Sequence, residues 1–391
     1  MRVVIVNAFA HVTGGADQVC FAIAEELRAR GHGVRFLATA SDENVEADGV
    51  FVPTMITHAT RDLLSPSRRL EVAARALWNS QAADAMRSIV ADFRPDVVHT
   101  HKLYPQLSVA PVVVANKLGI PLVQTLHDYE LISASALDPQ GHWRDRYETR
   151  FQYRTLNAAT YPIRRFIHLP RLRARVAVSR SLAAAYKRHG VTCEVLPNFI
   201  ERDSQSKLDY SERRGVAFAG RLVRAKGVVD LLEVARRMPE TAFTIAGEGP
   251  LAPIVRSALE ELQNLRFIEG ASREQVLTLF RSARVVLVPS RWQEPGPLVA
   301  LEAMARGTPL VTYSVGGLAE YVRDAGAGRT VDAHPSALAQ GCRELVEDER
   351  EWIACSRRSL DAVEHVHSAD RYLPRLERVY RDAVQAGGLH A

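Results

Sequence analysis

Short apolar runs alternate along the chain with longer stretches whose apolar residues return at helical spacing, and the alternation is played through twice. Continuous apolar strands joined by helices mark parallel βαβ units, because a strand covered by helices on both faces needs no polar side. The first set opens with the strand RVVIVN (2–7), passes Gly14-Gly15 into a helix from about Asp17 to Arg30, and turns at Gly31-His32-Gly33 into VRFLAT. It continues through DVVHTH (96–101), an apolar helix around 106–118, PLVQTLHD (121–128) and RVAVS (175–179), and closes with VLPNFI (195–200). The second set runs VAFAGRL (216–222), helix 226–238, AFTIAG (242–247), helix 251–263, LRFIEG (265–270), helix 273–283, RVVLVPS (284–290), helix 298–306, PLVTYSV and helix 318–324. The expectation is an α/β protein of two doubly wound domains facing each other, 1–200 and 201–367. The polar stretch Glu201–Gly215 links them, and a last helix covers about 368–391.

A chain of 391 residues, 47% hydrophobic and 24% charged, has room for two cores and excludes a single small domain or a disordered chain. Cys20, Cys193, Cys342 and Cys355 show neither Cys-x-x-Cys spacing nor a pairing pattern, which argues against a disulfide framework and a structural zinc site. The opening apolar run is too short for a signal peptide, and no stretch approaches the ~20 apolar residues that span a bilayer. The expected location is therefore the cytoplasm.

The net charge of +5 is unevenly placed: residues 1–200 carry 24 Lys and Arg against 18 Asp and Glu. Arg144–Arg188 alone holds twelve cations and two acids, interleaved with Tyr161, Phe166, Ile167 and Leu172. Such a segment suits an anionic membrane surface on the inner face of the cell membrane; a plain solvated basic face suits it equally. With no aromatic platform or zinc motif, nucleic acid is not an expected partner.

The chemistry-bearing residues cluster at predicted strand ends. Glu294 and Glu302 are separated by seven residues across a strand-to-helix turn, EPGPLVALE, with Gly296 at the expected cap and Pro297 at the expected first helical position. Glu302 sits among Leu298, Val299, Leu301 and Met304, where a carboxylate needs hydrogen-bond donors such as sugar hydroxyls. The spacing alone is equally that of a surface glutamate and a loop glutamate. Arg221 and Lys226, in GRLVRAKG, open a helix after the strand VAFAG and could neutralise a diphosphate without metal, or simply be solvated. Gly14-Gly15 permits close backbone approach, and His127 ends the strand LVQTL. Asp-x-Asp and clustered metal ligands are missing from the sequence, so no metal and no cofactor are expected.

GGADQV, TLHDY, VLPNFI, GRLVRAKGV and EPGPLVALEAMARGTPLVTYSVGGLAE occur in that order over nearly the whole chain, and together resemble glycosyltransferase family 4, retaining nucleotide-sugar enzymes of the GT-B fold. The resemblance implies that Glu294 holds donor-sugar hydroxyls and Glu302 the ribose hydroxyls. Arg221 and Lys226 would stabilise the leaving diphosphate, and the backbone of Gly296, Pro297 and Leu298 would hold sugar and phosphate. His127 would stand beside the reacting carbon, with Gly14 and Gly15 against the phosphates and acceptor. His127, Glu294, Arg221 and Lys226 are then the catalytic set. The resemblance also implies that the terminal helix returns to the first domain, which takes the acceptor, and that the donor, UDP-linked by preference and GDP-linked as the alternative, binds the second. The implied acceptor is a glycan, lipid-linked or small-molecule hydroxyl, in bacterial surface-polysaccharide or glycolipid biosynthesis. Leu131–Arg150, with Trp143 and Tyr147, is expected to line its site. Asp17 stands where many members have Glu, and Pro295 and Pro297 replace residues that carry an N–H, which bears on the identity of the sugar.

Two other readings compete. Gly247-Glu248-Gly249-Pro250-Leu251-Ala252, with Glu269 at the next strand end, fits a nicotinamide-binding turn of an oxidoreductase, although Pro250 removes an N–H and the motif sits on the second strand of its half. A catalytically silent binding subunit would keep the fold, but the site residues are intact.

Overall fold

The computed structural model describes residues 1–46, 48–54, 65–134, 151–205 and 209–388. They build two parallel sheets. The first uses β1 (Arg2–Phe9), β2 (Gly33–Ala40), β3 (Gly49–Pro53), β4 (Val97–Thr100), β5 (Leu122–Leu126), β6 (Ala174–Ala177) and β7 (Glu194–Val195), in the order β3-β2-β1-β4-β5-β6-β7. The second uses β8 (Val216–Ala219), β9 (Phe243–Gly247), β10 (Leu265–Glu269), β11 (Val285–Val288), β12 (Leu310–Tyr313) and β13 (Gly328–Val331), in the order β10-β9-β8-β11-β12-β13. This is the GT-B arrangement of two Rossmann-like sheets.

Helices α1 (Gly15–Ala29), α2 (Pro66–Leu77), α3 (Ser80–Phe93), α4 (Ala110–Lys117), α5 (Phe151–Ile163) and α6 (Arg180–Arg188) connect the first sheet. Helices α7 (Val228–Arg237), α8 (Ala252–Glu261), α9 (Arg273–Ser282), α10 (Leu298–Met304) and α11 (Gly316–Ala325) connect the second, and α12 (Pro335–Glu347), α13 (Glu349–His365) and α14 (Ala369–Gly388) follow.

Each sheet lies between two cores, and alternation along single strands shows it. Val3 and Ile5 of β1 pack with α1 and with Tyr372, Leu376 and Tyr380 of α14, while Val4 and Val6 face Met86 and Ile89 of α3 and Val112 of α4. Val285 and Leu287 of β11 face Leu231 of α7, and Val286 and Val288 face Leu301 of α10. Helix α14 thus covers the first sheet although it follows the second in sequence.

The sequence pattern misses β3, β13, α2, α3, α5, α6, α12 and α13, and VLPNFI contributes only Val195 as strand, since Asn198 turns instead to Gly296 across the cleft. Both missed strands are edge strands of mixed exposure, so neither has a continuous apolar signature. Trp143 and Tyr147 lie outside the described residues. Strand order reverses between β1 and β4 and between β8 and β11, which places a crevice at the carboxyl ends of those strands. The loops after β1, β8 and β11 are the ones that carry Gly14-Gly15, Arg221 with Lys226, and Glu294.

Candidate active site

The loop between β11 and α10 is fixed from three sides. Gly227 begins α7 at φ +73°, and a Cβ there would fall 1.9 Å from the carbonyl oxygen of Pro289, so the backbone after Lys226 can press directly on the start of the loop. Arg291 donates through Nε and a terminal nitrogen to both oxygens of Asp230, at 2.5 and 2.7 Å, and its backbone N–H bonds Ala225. At the far side Gly317 donates its N–H to the carbonyl of Glu294 at 2.7 Å, and a Cβ on Gly317 would fall 1.9 Å from the carbonyl oxygen of Pro295.

Within this frame Glu294 is 3% exposed. Lys226 Nζ lies 2.7 Å from Glu294 Oε1, and the Ser290 hydroxyl donates to the same oxygen. The Lys226 ammonium also stands 5.9 Å from the centre of the Trp292 ring. The structure therefore brings together a cation and a carboxylate that lie on different strands' loops. Glu302, in the second turn of α10 and 8% exposed, takes long contacts of 3.3 and 3.4 Å from the Arg273 guanidinium at the start of α9. Arg273 supplies the donors that the apolar setting of Glu302 requires. The Arg221 side chain is exposed and makes no hydrogen bond or ion pair with the described residues, while its carbonyl accepts from the Val223 N–H at 2.9 Å. Helix α10 starts at Leu298 with Pro297 as its cap at ψ 130°; Pro297 is not the first helical residue, because its extended backbone leaves the helix one position later than expected.

In the first half, Gly14 caps α1 with an extended backbone, and a Cβ there would meet nothing within 4 Å. The turn is held by Asp17, which accepts from the Thr13 N–H (2.9 Å), the Thr13 hydroxyl (2.6 Å) and the Asn7 amide (2.8 Å). Across the cleft, a Cβ on Gly15 would lie 3.5 Å from the Leu298 side chain, so the glycine turn and the α10 start are in contact range.

His127 directly follows β5 and its Nε2 lies 2.9 Å from His101 Nδ1, the two rings stacked at 5.2 Å. Burial, with the nearby His101 and Lys102, pushes the His127 imidazole well below its usual range, so it is neutral at physiological pH. Two residues on, the Tyr129 hydroxyl donates to the carbonyl of Gln293, tying the His127 strand end to the residue before Glu294.

The two halves also meet through Gly296, whose carbonyl accepts from Asn198 at 2.9 Å and whose position leaves no room for a Cβ beside Val178 and the Tyr321 hydroxyl. Tyr321 donates to the Val178 carbonyl at 2.7 Å. Sequence reading missed His101, Tyr129, Asn198, Asp230, Arg273 and Tyr321. Only His101 carried a local sign, standing two positions from His99 in DVVHTH and so on the same face as it.

The nicotinamide-type glycines have a packing role instead. A Cβ on Gly247 would fall 2.0 Å from the Gly220 carbonyl oxygen and one on Gly249 would fall 2.7 Å from that of Leu222, while Glu269 is paired with Arg256 at 2.6 Å. Among the described residues no group of three His, Cys, Asp or Glu side chains is arranged to hold a metal ion.

Residues 13–204 match Glycosyltransferase Family 4, and residues 199–360 match Glycosyl transferases group 1, the two adjoining and in order. The chain belongs to this family. A D-inositol 3-phosphate glycosyltransferase of Mycolicibacterium smegmatis is 35% identical over 185 residues, 44% of this chain and 42% of that protein. The matched stretches span 29% to 65% of the length of the first curated relatives. Among solved structures, sucrose-phosphate synthase from Thermosynechococcus elongatus superposes with a TM-score of 0.73 at 17% identity, covering 99% of this chain and 100% of that one. Anabaena Alr3699/HepE in complex with UDP-glucose gives 0.65 at 16% identity, covering 97% and 99%. The chain thus shares their fold over 97% to 99% of its length.

Proposed function

We propose that the protein is a retaining, metal-independent glycosyltransferase of the hexosyltransferase type, with Glu294, Lys226, Arg221 and His127 as its catalytic set. The observation that carries the reading is the Lys226–Glu294 pair at 2.7 Å, its carboxylate buried and its ammonium side chain 24% exposed, on the loops that follow β8 and β11. In this reading Glu294 accepts from donor-sugar hydroxyls, with Lys226 shared between it and the diphosphate. Arg221, unpaired among the described residues, completes the charge on the leaving group. Cations already in place stabilise the negative charge that grows on the β-phosphate as the glycosidic bond breaks, and they act more strongly on the transition state than on the bound donor. Glu302 exchanges Arg273 for ribose hydroxyls. Gly14, Gly15, Gly296, Pro297 and Leu298 line the phosphates where the two halves touch.

UDP is the favoured nucleotide, supported by the UDP-glucose held in the structurally similar Alr3699/HepE. The acceptor lies on the first domain, and the inositol phosphate named for the M. smegmatis relative supports an anionic small-molecule hydroxyl; a glycan or lipid-linked acceptor, as in surface-polysaccharide or glycolipid assembly, is the alternative. A peripheral position on an anionic membrane would rest on exposed Phe166, Arg173, Lys187 and Arg188. Arg165, Arg171 and Arg175 instead donate to backbone carbonyls of their own half.

The test is donor binding and turnover over UDP-glucose, UDP-N-acetylglucosamine, GDP-mannose and ADP-glucose, followed by thermal shift and released nucleotide. Glu302→Ala is expected to weaken nucleotide binding about tenfold or more, whereas Glu294→Gln is expected to cut turnover by about a hundredfold with little change in affinity. Equal loss of affinity in both variants contradicts the division of roles.

A further inference from the structure

Behind His127 stands a second imidazole that the reading above does not use. His101 follows β4, is 1% exposed, and is enclosed by the His99 ring at 4.3 Å on one side and the His127 ring at 5.2 Å on the other. Its Nδ1 is the hydrogen-bond partner of His127 Nε2, and its Nε2 is buried with no partner. His99 is itself locked, with Nδ1 on the Tyr380 hydroxyl at 2.7 Å and Nε2 on the Thr125 hydroxyl at 2.8 Å. Backbone bonds fix the His101 main chain as well: its N–H donates to Val6 and its carbonyl accepts from the Gln124 amide at 3.0 Å. Among the described residues the His101 ring therefore has one polar contact, and that contact is His127.

Two neutral imidazoles 2.9 Å apart share one proton, so the bond can be made in two ways. If His127 donates, His101 must carry its own proton on Nε2, where an N–H would be buried against nothing. If His101 donates from Nδ1, what remains at Nε2 is an unpaired acceptor, and orphaned buried N–H groups are the rarer of the two in folded proteins. The second arrangement has a consequence at the site. His127, accepting at Nε2, must hold its proton on Nδ1, the ring nitrogen that has no partner among the described residues.

From this geometry we infer that His101 is a positioning residue: it donates Nδ1–H to His127, fixes the ring and its tautomer, and leaves Nδ1–H of His127 as a hydrogen-bond donor toward the donor sugar. The role of that donor rests on the reading of His127 given above; the tautomer does not. A wrong tautomer turns the donor into an acceptor at the reacting end without removing the side chain, which lowers turnover more than ground-state binding.

The test uses the full chain with ¹⁵N-labelled histidine, the His127 signals assigned by their loss in His127→Gln. Wild type is expected to show the Nδ1–H tautomer at His127, and His101→Leu a mixture or the Nε2–H form. With the most rapidly consumed donor of the four-sugar panel, His101→Leu is expected to lose kcat about 10- to 100-fold with KM within about threefold. His101→Asn places an amide N–H near the Nδ1 position and is expected to restore kcat to within about fivefold of wild type. An Nε2–H tautomer in the wild-type protein overturns the proposal, as does a His101→Asn variant as impaired as His101→Leu. If no panel sugar is consumed by wild type, the functional reading fails, while the tautomer measurement still decides for or against the His101–His127 bond.

Discussion

Buried ionisable side chains of the first half pull the stability of the protein in opposite directions as pH changes. Burial pushes His101 down to about 3, and burial together with Arg164 and Arg171 pushes His168 down to about 3. Burial, reinforced by the Asp128 carboxylate and opposed by Arg164 and Lys102, pushes Glu130 up to about 8. Between about pH 3 and the usual histidine value of 6.5 the unfolded chain binds protons that folded His101 and His168 refuse, so stability falls on acidification through that range. Glu130 has the reverse sign. Folded Glu130 keeps a proton between its usual value of 4.5 and about 8 that the unfolded chain has released, so its contribution falls as pH rises through that window. The two limbs meet near neutrality, and above it Glu130 is the one of the three that still contributes a slope, at most ~1.4 kcal/mol per pH unit. Glu130→Gln is therefore expected to flatten the decline between neutrality and pH 8 and to steepen the acid limb between 4.5 and 6.5, where Glu130 opposes the histidines. Urea unfolding at a series of pH values measures it, and an unchanged alkaline slope refutes the assignment.

At the scale of elements, the β11–α10 loop owes its shape to groups on other elements. Asp230 in the first turn of α7 is 6% exposed and takes two bonds from Arg291 and one from the Tyr313 hydroxyl at 2.8 Å. The hydrogen bond to Asp230 raises the Arg291 guanidinium, and burial followed by the same carboxylate raises the Tyr313 phenol, so both keep the protons they donate. Removing the carboxylate leaves Arg291 without its partner and frees the segment that carries Glu294. Asp230→Ala is expected to cost about 3 kcal/mol of stability and to lower turnover about tenfold, whereas Tyr313→Phe should cost about 1 kcal/mol and leave turnover within about twofold. Unfolding and initial rates on both variants decide; a destabilised Asp230→Ala with full turnover would mean that the loop keeps its shape without the clamp. None of this clamp was legible in the sequence. The strands β1, β4, β8 and β11 were, because strands buried on both faces carry consecutive apolar residues, although β4 ends on the buried polar His99 and Thr100. The half-buried edge strands β3 and β13 were not, having no such constraint. Glu294, Glu302, Arg221 and Lys226 could be named as candidates from their places at strand ends and from family resemblance. That Lys226 touches Glu294 could not, since the two are 68 positions apart and meet only because the sheet order sets β8 beside β11.

For the molecule as a whole, the relation between the halves is governed by a carboxylate on one that caps a helix on the other. Glu320 of α11, 6% exposed, accepts from the backbone N–H groups of Arg180 and Ser181 at 2.9 Å each, the first turn of α6. These donors have no partner within α6, and the helix dipole adds to their pull on a negative charge. Arg180 also reaches back from α6 to Asp324, but its side chain is 61% exposed and that ion pair contributes little. The cap and the Tyr321–Val178 bond lie beside Gly296, so whatever holds the halves here also holds the Glu294 loop against the first sheet. Glu320→Ala leaves two N–H groups unpaired at the junction and is expected to cost about 1 to 3 kcal/mol, with Arg180→Ala costing less than about 0.5. Because the lost bonds cross between halves, the missing stability should appear as opening and not only as a lower melting temperature. Small-angle scattering of the ligand-free Glu320→Ala protein is expected to give a larger radius of gyration, which a nucleotide that bridges the crevice should reverse. Its donor KM should rise several-fold, since binding must then also draw the halves together. A radius and KM equal to those of wild type would mean that the junction is held by the packing around Gly296 alone, with the cap serving only α6.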